Sequence, residues 1–292
     1  MKIGEKVNKY CFFNGLMEEY YFLIFLAGLW ALFASVSDFK TREVPNWISF
    51  SLIAFALAYR AFYSIGHGWM FLVYGLLGLG IFIVLGYLFY YGRAFGGGDA
   101  KLLMASGAIL PFESYMDYLF VGMGFIFILF LAGGIYSLVY TVFLIRGNKK
   151  FSKEFKGRIK KNKLMVFGLL IVGLALAGVF VSTSLGLSLA FLFLGLMPLL
   201  YFYALSVDKC CMIILKKPRN LQEGDWIMKD IKVGRKMVKK TVHGLTKKDI
   251  LILRRSGRNV EIRDGVPFTI SFLLAIMLFF SLFFLYPGLF SF

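Results

Sequence analysis

The stretch YYFLIFLAGLWALFASVSD, residues 20–38, is a continuous apolar run that ends on an aspartate. A run of this length can cross the ~30 Å hydrocarbon core of a bilayer as one helix. Similar runs recur along the whole chain of 292 residues, which is 59% hydrophobic and has a mean hydropathy of +0.75. The sequence therefore predicts an all-α, polytopic bundle of six to eight transmembrane helices.

Eight apolar runs are candidates for crossing the membrane. They fall at residues 20–38, 46–64, 69–91, 99–112, 115–145, 164–182, 186–206 and 266–287. The fourth run is short for a full crossing and begins on a second aspartate, Asp99. An ionisable side chain at the edge of the hydrocarbon is costly and usually marks a functional site, so Asp38 and Asp99 are the first candidates. Arg60, near the outer end of the second run, is expected to extend its charge to the interface.

The net charge of +17 is concentrated in a few connections between these runs. Residues 146–163 contain nine Lys or Arg against one acid, and residues 207–265 contain sixteen against seven. Positive-inside bias and anionic lipid headgroups explain such segments, and neither carries a nucleic-acid-binding motif. If all eight runs cross, the basic connections face the cytoplasm and both aspartates lie in one cytoplasmic layer. We therefore expect a multi-pass protein of the cell membrane that contacts anionic headgroups and no nucleic acid.

The block 207–265 is the one sizeable stretch without an apolar run, and it predicts a small basic cytoplasmic domain before the last helix. Thr246 and Asp249 predict the start of a short helix, which Gly257 ends. Residues 260–262 predict an extended segment. The three cysteines of the whole chain form neither a disulfide framework nor a CxxC pair, so we expect no metal and no cofactor.

Asp99 directly follows three glycines in the segment FGGGDAKLL, residues 95–103. These glycines (Gly96, Gly97 and Gly98) leave no side chains beside the carboxylate, so an extended peptide could approach it closely. A flexible turn followed by a helix-capping aspartate would give the same pattern. Asp38 has an equally plain alternative, because a boundary carboxylate that pairs with Lys40 or Arg42 needs no function.

Two carboxylates held close together share a proton and titrate as a pair, which suits the activation of water. Asp99 begins a helix, and the positive end of the helix dipole favours its ionised form. Asp38 ends a helix, where the protonated form is favoured. The helix ends therefore predict that Asp99 is the more acidic of the two.

The motifs D-x-K-x-R-x-V-P-N at residues 38–46 and GGGD-x-K-L-L at residues 96–103 resemble those of the type IV prepilin peptidases and archaeal preflagellin peptidases. These are membrane aspartyl proteases of the GxGD type. The resemblance covers residues 20–112 and resumes at RDGVPF, residues 263–268, which is similar to a C-terminal stretch of archaeal members. It implies that Asp38 and Asp99 are catalytic. It also implies that the substrates are archaellin or pilin precursors, cut at the cytoplasmic face after a short basic leader.

The resemblance also implies further site residues, and the chain departs from the family in two respects. Gly96, Gly97 and Gly98 are expected to receive the substrate backbone, and the supporting candidates are Lys101, Pro45 and Asn46. Bacterial members carry a cysteine-rich loop and methylate the new N-terminus; the chain lacks that loop, so we expect no methyltransferase activity. The apolar pair within residues 164–206 exceeds the six-helix plan of archaeal relatives.

Two alternatives remain open on the sequence. A relative of presenilin or signal-peptide peptidase would carry Tyr-Asp at the first aspartate and Pro-Ala-Leu near the C-terminus, where this chain has Ser37-Asp38 and Pro267-Phe268. A proton- or cation-coupled transporter would also place acids in the membrane, but it typically shows paired broken helices and an inverted repeat.

The predicted domain organisation follows from these segments. We expect an N-terminal tail (1–19), a catalytic transmembrane core (20–145), a basic loop with additional transmembrane helices (146–206), a cytoplasmic domain (207–265) and a C-terminal transmembrane helix (266–292).

Overall fold

The computed structural model describes residues 3–92, 94–234, 236–241 and 244–285, with the backbone alone for residues 3–18. The helices are α1 (Ile3–Thr41), α2 (Asn46–His67), α3 (Met70–Tyr91), α4 (Gly97–Ser106), α5 (Asp117–Ile145), α6 (Lys149–Lys161), α7 (Lys163–Phe180), α8 (Leu185–Cys211), α9 (Lys247–Ser256) and α10 (Thr269–Leu285). The strands are β1 (Ile213–Lys216), β2 (Trp226–Ile227), β3 (Ile231–Val233), β4 (Lys236–Val238) and β5 (Val260–Arg263).

The all-α polytopic prediction is confirmed. Six of the described helices are long and apolar enough to cross a membrane: the segment Glu19–Thr41 of α1, and α2, α3, α5, α7 and α8. Helix α10 is equally apolar but has 17 residues. The run 99–112 does not form a spanning helix, because α4 has 10 residues and rises only ~15 Å.

The chain divides into two compact units, residues 1–138 with 267–292, and residues 139–266. In the first unit, α1 packs on α10 and on α2, and α3 packs on α4. Helix α3 meets the end of α4 at two glycines: a Cβ on Gly78 would lie 2.5 Å from the carbonyl oxygen of Gly107. Such close backbone approach is typical of helix packing in membranes.

Arg60 on α2 is fully buried, so the prediction that its charge reaches the interface is wrong. Its guanidinium donates to the backbone oxygens of Phe71 (2.9 Å), Ala108 (2.8 Å) and Leu110 (2.8 Å). The last two oxygens belong to the segment just after α4, where the helix has ended. The Leu110 oxygen also accepts from the Phe112 N–H (3.1 Å). Arg60 therefore satisfies the polar backbone that a broken helix leaves inside an apolar bundle.

The second unit contains α6 to α9 and the strands. Helices α7 and α8 pack closely where a Cβ on Gly173 would lie 2.6 Å from the Cα of Gly195. The sheet has the order β1-β5-β2, all antiparallel, and β3 pairs with β4 as a second antiparallel sheet. The predicted short helix is confirmed: Thr246 and Asp249 form a capping box at the start of α9, and Gly257 ends it in a left-handed conformation with φ 63°. The extended segment at 260–262 is β5.

Candidate active site

Asp38 lies one turn before the end of α1, and its side chain is 9% exposed. Its Oδ2 accepts hydrogen bonds from the Thr269 hydroxyl (2.7 Å) and from the Thr269 backbone N–H (3.3 Å). Thr269 is the first residue of α10 and is 1% exposed. The carboxylate therefore sits at the N-terminus of α10, where a hydroxyl and a backbone N–H both donate to it.

The backbone around Asp38 is held by local hydrogen bonds. The Ser35 hydroxyl donates to the carbonyl oxygens of Ala31 (2.7 Å) and Thr269 (3.3 Å), which joins α1 to α10 beside the carboxylate. After α1 the chain turns sharply at Arg42, which has a φ of 59° and donates its N–H to the Asp38 carbonyl (2.9 Å). A positive φ is uncommon for a side chain of this size and persists only where the surroundings hold it.

Asp99 is the third residue of α4, and its carboxylate accepts a hydrogen bond from the backbone of Gly96, the N-cap residue. The side chain is partly buried. Burial raises the pKa of Asp99 to about 7, the negative charge of Asp38 adds to the rise, and the Gly96 bond opposes it. Loss of solvation therefore opposes the helix dipole at Asp99, and the order of acidity of the two carboxylates stays a prediction.

Gly98 brings the start of α4 against the turn that follows α1. A Cβ at this position would lie 2.9 Å from Cβ and 3.0 Å from Cγ2 of Val44, closer than real side chains approach. Gly96 and Gly97 are exposed. One side of Asp99 is thus packed against the turn, and the other is bordered by backbone that carries no side chains.

The supporting candidates meet at the same place. The Lys101 ammonium donates to Oδ1 of Asn46, the first residue of α2, and Pro45 occupies the N-cap position of that helix. The bond ties α4 to α2 one helical turn beyond Gly97. Lys101 and Asn46 therefore hold the helix that carries Asp99 against the start of α2.

Thr269 is the residue of this site that sequence reasoning missed. The family-like C-terminal stretch RDGVPF ends at Phe268, one residue before Thr269. A threonine two residues after Pro267, at the start of an apolar run, is a helix-start signal that would have identified it. Among the residues that the structure describes, no three His, Cys, Asp or Glu side chains cluster as metal ligands would.

The fold and the site together define a polytopic helical membrane protein with aspartates on two separate helices, one of them at a glycine-rich helix start, where the charge of Asp38 acts on Asp99. A model of the type IV leader peptidase family matches residues 25–138, which include both aspartates and all three glycines. The resemblance predicted from the sequence is confirmed over this segment.

Three similar proteins are named as preflagellin or prepilin peptidases. The chain is 34% identical over 91 residues to the preflagellin peptidase of Methanocaldococcus jannaschii (31% of this chain, 38% of the relative). It is 29% identical over 165 residues to that of Methanococcus voltae (52% and 65%). It is 34% identical over 105 residues to the prepilin peptidase EppA of Methanothermobacter thermautotrophicus (35% and 27%). The chain thus spans between 27% and 65% of the length of these relatives. No solved structure matches it.

Proposed function

We propose that this protein is an aspartic endopeptidase that removes the short basic leader peptide from preflagellin (archaellin) or type IV prepilin precursors. The names of the matching relatives, preflagellin peptidase and prepilin peptidase, support this substrate class. The leader peptidase family covers the segment that carries the proposed catalytic groups.

One observation carries the proposal: Asp38 on α1 and Asp99 on α4 lie close enough for the charge of one to raise the pKa of the other. The exposed backbone of Gly96 and Gly97 borders Asp99. An extended substrate can lie along this backbone, because neither glycine carries a side chain beside Asp99. The backbone that begins α4 thus provides the approach for a peptide bond.

Environment assigns the two carboxylates different roles. Asp38 acts as the base, with its Oδ2 held by two hydrogen bonds at the N-terminus of α10. Asp99 is the protonated acid, because its pKa is raised to about 7. Pairs of acids whose environments push their pKa values apart are the usual basis of such a division.

The reaction follows from these roles. Asp38 takes a proton from a water molecule, whose oxygen attacks the scissile carbonyl carbon, while Asp99 gives its proton to the carbonyl oxygen. The tetrahedral intermediate then collapses: the proton taken by Asp38 passes to the leaving amine, the C–N bond breaks, and Asp99 recovers its proton from the new acid. Acid–base assistance of this kind contributes ~10²–10⁴ to the rate.

We propose that the site lies at the cytoplasmic face of the cell membrane. When α1, α2 and α3 cross in alternation, the connections before α2 and before α4 lie on one side of the bilayer and carry Lys40, Arg42 and Arg93, whereas residues 65–68 on the other side carry no Lys or Arg. A leader that precedes an apolar helix would be cut where that helix leaves the membrane. Carboxylates beside exposed glycines at the edge of the membrane are suited to cutting a substrate at this point.

The pH dependence of kcat/KM is expected to follow the protonation of Asp99. Because Asp99 must carry a proton, kcat/KM is expected to fall about tenfold per pH unit above pH ~7. The measurement is the initial cleavage rate in proteoliposomes across pH 5 to 9, with a precursor peptide below its KM. A rate that keeps rising to pH 9 contradicts the assignment of Asp99 as the acid.

The proposed activity is tested by co-expression in membranes with a precursor that carries a short basic leader ending in glycine before an apolar helix. Cleavage at that junction, identified by mass spectrometry of the new N-terminus, is expected for the wild type. Asp38→Asn and Asp99→Asn are each expected to lower the rate at least 10²-fold. The matched control is Glu223→Gln, which neutralises an exposed carboxylate of the other unit and is expected to cleave normally. Full cleavage by either aspartate variant contradicts the mechanism.

A further inference from the structure

Helix α6 is a basic amphipathic helix docked against the end of α8. Its apolar side chains Phe151 and Phe155 pack on Tyr203, with ring centroids 5.6 Å and 6.1 Å away. Asn148 fastens the start of the helix: Oδ1 accepts from the N–H groups of Lys150 and Phe151, and Nδ2 donates to the carbonyl of Cys210 (3.5 Å). The helix is therefore held in one position, and several of its basic side chains face the end of α8.

A cleft of about 940 Å³ lies between α6 and the end of α8. Its charged lining consists of Lys150, Lys153, Arg158, Lys161, Lys209 and a single carboxylate, Glu154. Cys210 and Ile213 add a less polar wall. This volume lies in the range of small-ligand sites, ~300–1,000 Å³.

The charges in this cleft are not balanced within the protein. Glu154 Oε1 accepts from Arg158 (2.9 Å) and from Lys209 (2.9 Å), and the Lys209 bond lowers the pKa of Glu154. Across the described part of the chain, no carboxylate forms an ion pair with the other three cations, Lys150, Lys153 and Lys161. Like charges held in one cleft repel each other, so an anion that enters it is attracted by several cations at once.

The position of the cleft indicates the kind of anion. Its lining includes Asn162, which immediately precedes α7, and Lys209 and Cys210, at the end of α8. Both α7 and α8 are long and apolar enough to cross the membrane, so this end of the pair lies at the level of the lipid headgroups. A compact ammonium group binds phosphate as a point charge, and lysines dominate here.

We propose that the cleft between α6 and α8 is a binding site for the phosphate group of an anionic lipid headgroup. Lys150, Lys153 and Lys161 contact the phosphate, and Glu154 pairs with Arg158 and Lys209 at the edge of the site, which weakens their attraction for it. The less polar wall faces the glycerol region of the same lipid. The site anchors α6 to the bilayer surface and is separate from the proposed proteolytic activity.

The full-length protein in detergent is titrated with phosphatidylglycerol, and bound lipid is counted by native mass spectrometry. The variant K150Q/K153Q/K161Q is expected to bind the tightest lipid ~100-fold more weakly, roughly fivefold for each lysine. The matched control K232Q/K236Q/K239Q removes three exposed charges from the β3–β4 hairpin and is expected to change this affinity less than about twofold. Equal weakening by both variants shows diffuse attraction and overturns the proposal.

A variant that binds the lipid more tightly distinguishes an effect on the site from misfolding. Glu154→Gln removes the single carboxylate of the cleft and is expected to tighten binding about fivefold, which a damaged protein would not do. Unchanged or weaker binding by this variant overturns the proposal. Glycerol 3-phosphate is the soluble competitor. Failure to displace the lipid at equal concentration supports a lipid ligand, and displacement at equal concentration assigns the cleft to a free phosphate compound instead.

Discussion

Replacing Asp99 by asparagine is expected to stabilise the folded protein above pH 7 and to leave its stability unchanged near pH 4. The pKa of this carboxyl is raised from 3.8 to about 7 on folding. Between these values the folded protein holds a proton that the unfolded chain has lost, so wild-type stability falls as the pH rises. Asparagine is neutral at every pH, and the variant avoids this loss.

The size of the effect follows from the same shift. Each pKa unit corresponds to 1.36 kcal/mol, so a shift from 3.8 to about 7 sets an upper bound of ~4 kcal/mol. Asp99 is only partly buried, and solvent screens part of the cost. We expect a stabilisation of about 2 kcal/mol at pH 8, or a melting temperature higher by ~5 °C.

The assay is thermal unfolding of the purified protein in detergent, followed by tryptophan fluorescence at pH 4, 6 and 8. Asp38→Asn provides the contrast, because it replaces the charge at the α10 N-terminus and is expected to destabilise the protein by ~1 kcal/mol at pH 8. A difference between Asp99→Asn and wild type that stays constant with pH refutes the reasoning. A variant less stable than wild type at pH 8 refutes it as well.

Three further substitutions test the supports of the site. Thr269→Val removes the hydroxyl that donates to Asp38 and is expected to lower kcat/KM at least about tenfold, with Thr269→Ser close to wild type in the same cleavage assay. Arg60→Met removes the donor to three carbonyl oxygens and is expected to destabilise the protein by ~3–5 kcal/mol in thermal unfolding, whereas Arg60→Lys costs about half as much. Gly98→Ala forces a Cβ against Val44 and is expected to cost ~1–3 kcal/mol; adding Val44→Ala should restore part of it, and strict additivity in a double-mutant cycle contradicts the contact.

Much of the fold is readable from local sequence, and the reasons are physical. Hydropathy over about 20 residues predicts a membrane helix, and alternation of such helices brings Asp38 and Asp99 to one side without any knowledge of packing. The capping box of Thr246 and Asp249 is equally local, since its partners are three residues apart. These predictions depend only on a residue and its neighbours along the chain.

The remaining features depend on distant partners. Arg60 looks like an interfacial cation until the segment after α4 presents carbonyl oxygens to it, 48 to 50 residues away. The pKa of Asp99 depends on how much protein surrounds it, which a helix-dipole argument does not contain. The hydrogen bonds to Asp38 come from α10, which local sequence does not bring beside α1.

The pairing of Asp38 with Thr269 has a consequence for biosynthesis. The two residues are 231 positions apart, so ribosomes complete α1 to α9 before the partner of Asp38 is made. Until α10 inserts beside α1, the proposed base lacks the hydroxyl and the backbone N–H that bond to it. Completion of the site therefore waits for the last described helix. On the proposed function, a half-made chain that already holds both aspartates is expected to be a poor hydrolase.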